Sequence, residues 1–162
     1  VGDLVDIVSK NGALLLNIGP RPDGTIPESE QAILREIGRW LAINGVAIYD
    51  TRPWKIFGGG PTQVSEGAFT DTKRQSFTSQ DIRFTSNGTT LYAIALAWPD
   101  QAWAIESLGT ASEQAPGRVA NVELLGCTAP LIWSQDHQSL TVTAPAEPPC
   151  EHAYALKITF EG

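Results

Sequence analysis

Methionine is absent from this 162-residue chain, and only two cysteines and two histidines occur in it. The two cysteines, Cys127 and Cys150, are too few and too far apart for a structural zinc site, which takes four ligands in close pairs. A single disulfide and two partly buried thiols both remain open. The residues therefore predict no metal site and no cofactor.

Long apolar runs and a basic surface are also lacking. No run approaches the roughly 18 apolar residues that a membrane span needs, so we expect no membrane partner. The formal net charge is −7, and an acidic domain without a basic stripe repels phosphate backbones. Nucleic-acid binding is excluded on this ground.

The first 44 residues predict a helix, a strand and a second helix. Apolar residues recur at helical spacing over residues 3–10, and Asn11-Gly12 ends that helix. The continuous apolar run 13–18 is typical of a strand that is buried on both faces. A second amphipathic helix follows from Pro27 to Asn44. This order is that of a parallel α/β architecture.

The pattern changes to a period of two from Asp81 onward. Residues 81–86 alternate, Asn87-Gly88 is a strong hairpin signal, and Leu91 begins the returning strand. Further short strands are predicted at 102–107, 119–125, 130–134, 138–143 and 153–160. Several short strands separated by turns favour an antiparallel sandwich.

Several segments in a fixed order carry a family resemblance. Leu4 to Pro20 (LVDIVSKNGALLLNIGP), then Asp23 to Pro27, then Asn44 to Tyr49 resemble the end of the catalytic barrel of α-L-fucosidases, glycoside hydrolase family 29. Over residues 81–160 the resemblance is weaker and is carried by Asp81 to Thr85. The lack of methionine and of a signal-peptide pattern at Val1 agrees with a piece of a longer protein.

The resemblance implies an α+β fold with three parts. Residues 1–57 are expected to be the last α-β-α elements of a (β/α) barrel, residues 58–80 a connector, and residues 81–162 a C-terminal β-sandwich. The family consists of retaining exo-acting glycosidases, and its members are often exported. Its nucleophile, its acid/base and its sugar-gripping histidines and tryptophans are expected upstream of Val1. His137 and His152 match none of these positions, so the resemblance carries over no catalytic residue.

Weaker candidate residues follow from position. Asp23 and Glu28 are the carboxylates to consider if the chain is active, because barrel enzymes place their chemistry beyond the carboxyl ends of their strands. Asn17, Gly19 and Arg21 are expected near the rim of the sugar pocket. Three tryptophans are candidates for stacking on sugar rings: Trp98, Trp103 and Trp133. Turn, helix-start and core roles are the structural alternatives for these residues.

Three hypotheses about function remain open. The first is a C-terminal fragment of a fucosidase, in which the sandwich supports the barrel and the partner is a fucosylated carbohydrate. The second is a small self-sufficient glycosidase that assembles carboxylates within or between chains. The third is a carbohydrate-binding module without catalysis. Because the 13–18 strand lacks neighbours, we also expect a homo-oligomer through the exposed barrel part.

Overall fold

The fold of the described residues consists of two α-helices and two antiparallel sheets. The computed structural model describes residues 1–64 and 75–162. The helices are α1 (Gly2–Ser9) and α2 (Glu28–Asn44), and a 3-10 turn at Gly45–Ala47 follows α2. The strands are β1 (Arg52–Gly59), β2 (Ile82–Asn87), β3 (Thr90–Ala95), β4 (Ala102–Ile105), β5 (Val119–Leu124), β6 (Trp133–Gln135), β7 (Leu140–Thr143) and β8 (Tyr154–Phe160).

The strands form one wide and one narrow sheet. The wide sheet has the order β1-β2-β3-β8-β5 and the narrow sheet the order β4-β7-β6. Every pair within them is antiparallel. The Asn87-Gly88 hairpin is confirmed, because Asn87 pairs with Thr90 and Gly88 has a φ of 57°. The predicted α+β class with an antiparallel sandwich is confirmed.

The wide sheet is the middle of three layers. On β3, Leu91 and Ala93 point into the core that the narrow sheet covers. The alternate residues Tyr92 and Ile94 point into a second core, which they share with Trp40 of α2. Both faces of β3 are therefore buried, which explains why its sequence is apolar without interruption.

Buried polar contacts join α1 to the wide sheet. Asp6 and Arg83 are both almost fully buried, and Arg83 Nε lies 2.6 Å from Asp6 Oδ1. Lys10 Nζ donates to the other carboxylate oxygen at 2.8 Å. The charge on Asp6 is thus paired on both oxygens, as a buried carboxylate requires.

The strand expected at residues 13–18 is not present, and this prediction is wrong. The segment pairs with no strand among the described residues, and Leu15 is 94 % exposed. A continuous apolar run becomes a strand only where neighbouring strands satisfy its backbone N–H and C=O groups. Here the run leaves α1 as extended chain that makes no ladder.

Residues 52–59 also differ from the expectation. Residues up to 57 are expected in the barrel part and residues 58–80 in the connector, but residues 52–59 form β1 and pair with β2 at the edge of the wide sheet. Their first pair is Arg52 with Ser86, and a bulge follows between Pro53 and Gly58. Part of the predicted connector, residues 65–74, lies outside the described residues.

The carboxylate of Asp81 joins the two ends of the connector. Asp81 is fully buried and accepts hydrogen bonds from the backbone N–H and the hydroxyl of Thr62 (3.0 and 2.8 Å). It accepts the same two kinds of bond from Thr78 (2.7 and 2.9 Å). Burial raises the pKa of Asp81, but these four hydrogen bonds outweigh it and hold the pKa below its usual value.

Cys127 and Cys150 are free thiols, which leaves the disulfide alternative without support in this structure. Cys150 donates to the carbonyl of Ala153 and accepts from Asn44 Nδ2, each at 3.4 Å. Within the described ranges, no helix has the length and apolar character for crossing a bilayer.

Candidate functional site

The candidate residues from the barrel part gather on one exposed segment. Asn17, Gly19, Arg21 and Asp23 lie on the loop between α1 and α2, and Glu28 begins α2. All five residues are exposed. They lie together on a surface loop, and their expected place at the rim of a sugar pocket stays a prediction.

Asp23 is committed to the turn that it belongs to. Its Oδ1 accepts hydrogen bonds from the backbone N–H of Thr25 at 3.0 Å and from the Thr25 hydroxyl at 2.7 Å. These two bonds lower the pKa of Asp23. The backbone of Arg21 closes the same turn by donating to the Thr25 carbonyl at 2.8 Å. Asp23 is thus an ionised turn residue and an unsuitable general acid.

Glu30 fixes the rim segment to α2. Its Oε2 accepts the backbone N–H of Gly19 at 2.8 Å, and it lies in the first turn of the helix, where the dipole favours a negative charge. Side-chain hydrogen bonds thus tie the loop both to itself and to the helix. The sequence signal for this contact was the acidic first turn, but a partner eleven residues upstream could not be read from it.

Trp98 and Trp103 belong to an aromatic cluster in the core between the wide and the narrow sheet. Trp103 is 1 % exposed and its ring centroid lies 5.0 Å from that of Trp98, which in turn lies 4.7 Å from Tyr154. Trp103 is therefore corrected from a stacking candidate to a core residue, because neither face of its ring can reach a sugar. Trp98 is half-buried in the same cluster.

Trp133 has a different environment from the other two tryptophans. It is half-buried on β6 and lines an open groove of about 430 Å³ beside the edge strand β5. A second groove of about 930 Å³ runs along β4 and exposes Asp100 and Glu106. Since the narrow sheet has three strands and the wide sheet five, grooves of this kind arise at its margins.

One group of potential metal ligands occurs in the described part of the chain. Ligand atoms of Glu36, Glu151 and His152 lie within 4.8 Å of one another. Arg39 hydrogen bonds to Glu36, and this contact, followed by His152, lowers the pKa of Glu36. The group is thus an ion-pair cluster that already contains its own cation.

Asp6, Asp81 and Arg83 are the buried charged residues that sequence reasoning missed. Arg83 and Thr85 alternate with the core residues Ile82 and Phe84, which is the usual pattern of a strand with one solvated face. The packing of α1 and of the Gly45–Ala47 turn against that face buries them instead. The sequence signal for a buried charge was Asp6, a carboxylate that follows apolar residues on the side of α1 that packs against the sheet.

Comparisons with known proteins agree across the whole chain. The family model for α-L-fucosidase matches residues 1–46, and the model for the α-L-fucosidase C-terminal domain matches residues 74–159. The chain is 33 % identical over 165 residues to the tissue α-L-fucosidase of Homo sapiens. That alignment covers 98 % of this chain but 30 % of the human protein.

Two solved structures show the same arrangement. The α-fucosidase of Thermotoga maritima superposes with a TM-score of 0.71 at 28 % identity, over 97 % of this chain and 33 % of that one. α-L-Fucosidase isoenzyme 1 from Paenibacillus thiaminolyticus also gives a TM-score of 0.71 at 28 % identity, over 99 % and 33 %. The chain thus spans about a third of the length of the proteins that it matches.

Proposed function

This chain belongs to the α-L-fucosidase family, and we propose that it is the C-terminal part of an enzyme that hydrolyses α-L-fucosides, in which its sandwich braces the end of the catalytic barrel. We place the boundary of the two parts near Asp50. Residues 1–50, with α1 and α2, are then the end of the barrel, and β1 to β8 are the sandwich.

The observation that carries this proposal is that the first 50 residues combine buried contacts with exposed apolar side chains. They are bound to the wide sheet through buried contacts, including the Asp6–Arg83 pair. Yet six of the eight large apolar side chains that are exposed in the described residues lie in this segment: Leu14, Leu15, Leu16, Ile33, Val46 and Tyr49. A large exposed apolar patch marks an interaction surface, and the remaining strands and helices of a barrel have the chemistry to cover it.

The bracing role is supported by specific hydrogen bonds between the two parts. Trp40 Nε1 of α2 donates to the carbonyl of Ala153 at 2.8 Å, and both residues are buried. The hydroxyl of Thr85 on β2 donates to the carbonyl of Ala47 at 2.6 Å. Such bonds fix the angle of α2 on the sheet, because a buried polar group that lost its partner would carry a penalty of about 1–3 kcal/mol.

Catalysis in this proposal is supplied by the upstream part of the barrel. A retaining glycosidase needs two carboxyl groups about 5–5.5 Å apart on rigid supports. Asp23 and Glu30 instead accept hydrogen bonds from their own loop, and both are part of its architecture. Asn17, Gly19 and Arg21 would contribute the rim of the sugar pocket in the complete barrel.

The test is a chimera together with the chain alone. In the first arm, the C-terminal third of the Thermotoga maritima enzyme is replaced by this chain, and hydrolysis of 4-nitrophenyl α-L-fucoside is measured. We expect activity in the chimera and none from the purified 162-residue chain. Activity of the isolated chain that Asp23→Asn or Glu28→Gln abolishes would favour a self-sufficient glycosidase and overturn the proposal.

A matched variant keeps the chimera informative. Arg83→Met in the chimera removes a contact between the two parts and should lower its thermal stability and its activity together. Glu106→Gln, an exposed residue of the sandwich, should change neither. A chimera that is inactive, although its circular-dichroism spectrum shows the same helix content as the parent enzyme, would count against the bracing role.

A further inference from the structure

The extended segment 13–20 is attached to the described part of the chain by one hydrogen bond. The backbone N–H of Gly19 donates to Oε2 of Glu30 on α2 at 2.8 Å. Among residues 1–64 and 75–162, this segment makes no other hydrogen bond and no ion pair. The position of Gly19 therefore depends on the side chain of Glu30.

Glu30 offers a fixed base for this contact. It is half-buried in the first turn of α2, and its backbone N–H donates to the carbonyl of Pro27 at 3.1 Å. The side chain of the neighbouring Gln31 donates to the carbonyl of Ile26 at 2.7 Å and ties the incoming chain to the helix. Because a side chain on a helix holds its partner more precisely than one on a loop, Glu30 defines where Gly19 lies.

Glycine at position 19 allows the carboxylate to lie against the backbone. A Cβ atom at Gly19 would lie 3.3 Å from Oε1 of Glu30, which is closer than ordinary van der Waals contact. One carboxylate oxygen thus accepts the N–H, and the other lies beside the position that a side chain would take. The contact therefore fixes the main chain between Asn17 and Arg21.

We propose that Glu30 is a positioning residue for the sugar pocket. The inference rests on the proposed function, in which Asn17, Gly19 and Arg21 form the rim of that pocket. Barrel enzymes place their chemistry beyond the carboxyl ends of their strands, and Gly19 directly follows the apolar run 13–18. Glu30 acts through Gly19 without touching the sugar, because it holds the rim at the distance where the fucoside is contacted.

Loss of the Glu30 contact should change binding more than folding. A displacement of about 1 Å in a group that positions a substrate can cost as much as about 100-fold in rate. In the complete barrel, neighbouring strands would pair with the run 13–18, so the displacement would be confined to the residues from Gly19 onward. We therefore expect a several-fold loss of affinity for the fucoside and an intact fold.

Stabilisation of the helix start is the alternative role of Glu30. A negative charge in the first turn of α2 interacts favourably with the helix dipole, whatever its hydrogen-bond partner. Glu30→Gln removes the charge but keeps an oxygen that accepts the N–H of Gly19, whereas Glu30→Ala removes both. The two variants therefore separate a role in positioning from a role in helix stability.

The test measures kcat and KM for 4-nitrophenyl α-L-fucoside in the chimera with the Thermotoga maritima barrel. Glu30→Ala should raise KM several-fold and leave kcat within about twofold, because the rim contacts the fucoside in the ground state and the transition state alike. Glu30→Gln should rescue KM to within about twofold of the parent chimera. A role in stability alone would instead reduce the fraction of active enzyme, and with it kcat, at constant KM.

Two control variants match Glu30→Ala. Ser29→Ala changes an exposed neighbour in the same helical turn, and Glu106→Ala removes an exposed carboxylate from the sandwich. Both should leave KM and kcat unchanged. If Ser29→Ala raises KM as much as Glu30→Ala does, the helix start and not the contact with Gly19 controls binding, and the inference is wrong.

Hydrogen exchange in the isolated 162-residue chain tests the contact without catalysis. Glu30→Ala should speed the exchange of the Gly19 amide proton several-fold, and Glu106→Ala should not. Unchanged exchange at Gly19 overturns the inference. An active chimera whose KM is the same with Glu30 and with Glu30→Ala also overturns it and leaves the proposed function standing, whereas an inactive chimera overturns both.

Discussion

Arg83 on β2 and Asp6 on α1 form a buried ion pair, with Arg83 Nε 2.6 Å from Asp6 Oδ1. They are 77 positions apart in sequence, and the contact joins the first helix to the wide sheet. Arg83 Nη1 also donates to the carbonyls of Gly59 and Ile82 at 3.1 Å each. The guanidinium therefore connects α1, β1 and β2 at one point.

Removal of one charge from this pair should lower the free energy of unfolding. Arg83→Met leaves Asp6 buried with Lys10 as its remaining cation, and we expect a loss of about 3 kcal/mol in the free energy of unfolding. Urea denaturation of the 162-residue chain measures it. The double variant Asp6→Leu with Arg83→Met should lose less than Arg83→Met alone, because no uncompensated carboxylate then remains.

The exposed pair Lys157–Glu123 provides the control for that experiment. Its atoms are 3.3 Å apart at the surface, so Lys157→Met should cost less than about 1 kcal/mol. Equal losses for Arg83→Met and Lys157→Met would mean that the Asp6–Arg83 pair is solvated in solution, and the account of the interface between helix and sheet would fail.

Asp81→Asn should lower the free energy of unfolding by weakening the hydrogen bonds at the two ends of the connector, and the loss should depend on pH. The variant loses the carboxylate charge that four hydrogen bonds from Thr62 and Thr78 satisfy, at a cost of about 1–3 kcal/mol near neutral pH. Since the folded pKa of Asp81 lies below its unfolded value, its contribution is complete above the unfolded pKa, about 3.9. It declines as the pH falls through the lowered folded pKa.

The measurement is the difference in unfolding free energy between the parent chain and Asp81→Asn from pH 7 to pH 3. We expect a constant difference above about pH 5 and a shrinking one below about pH 4. The difference isolates Asp81 from Asp23, Glu36 and Asp136, whose pKa values are also lowered and which titrate in both proteins. A difference that grows on acidification would contradict the assigned hydrogen bonds.

Two apolar runs show how far the fold could be predicted from sequence. Ala13 to Ile18 and Leu91 to Leu96 are both runs of six mostly apolar residues, and the sequence predicts a strand buried on both faces at the first. Only the second is such a strand, because β2 and β8 pair with it and the helices and the narrow sheet cover it. Pairing partners are a property of the whole chain, so local periodicity cannot decide between the two runs.

The candidate site divides in a similar way. Turn chemistry around Asp23 and the helix start at Glu28 were readable locally, since both depend on neighbours within a few residues. Which tryptophan reaches a groove was not readable. Trp103 and Trp133 both pair with Val142 of β7, so strand position does not distinguish them. Trp103 is buried in a cluster with Trp98 and Tyr154, whereas Trp133 is half-buried beside a groove.

Cys150 should react slowly with alkylating reagents in the folded chain. Burial raises its pKa, an effect that the hydrogen bond from Asn44 only partly opposes, and the thiolate is the reactive form. In a Cys127→Ala background, we expect the rate with iodoacetamide at pH 8 to be at least about tenfold below the rate in urea. Mass spectrometry at timed intervals gives both rates. Similar rates would show that the loop carrying Cys150 opens freely from α2.

Self-association of the isolated chain should depend on the apolar surface of its first 50 residues. Leu15, on the loop before α2, is 94 % exposed, and Ile33 of α2 is 58 % exposed. Because water is excluded when such surfaces meet, we expect the 162-residue chain to form dimers or larger species at high concentration. Light scattering after size-exclusion chromatography measures this.

Leu15→Ser combined with Ile33→Ser should shift that chain toward monomer without lowering its unfolding free energy by more than about 0.5 kcal/mol, because neither side chain belongs to a core. The matched control is Ile132→Ser, an equally apolar residue of the sandwich that is 76 % exposed and lies outside this surface. It should leave the association unchanged. If the parent chain is monomeric at every concentration, or if Ile132→Ser has the same effect as the double variant, then the exposed apolar side chains of the first 50 residues do not form the contact. The exposed apolar side chains would then not indicate an interface. They would no longer support the proposal that other barrel elements cover them.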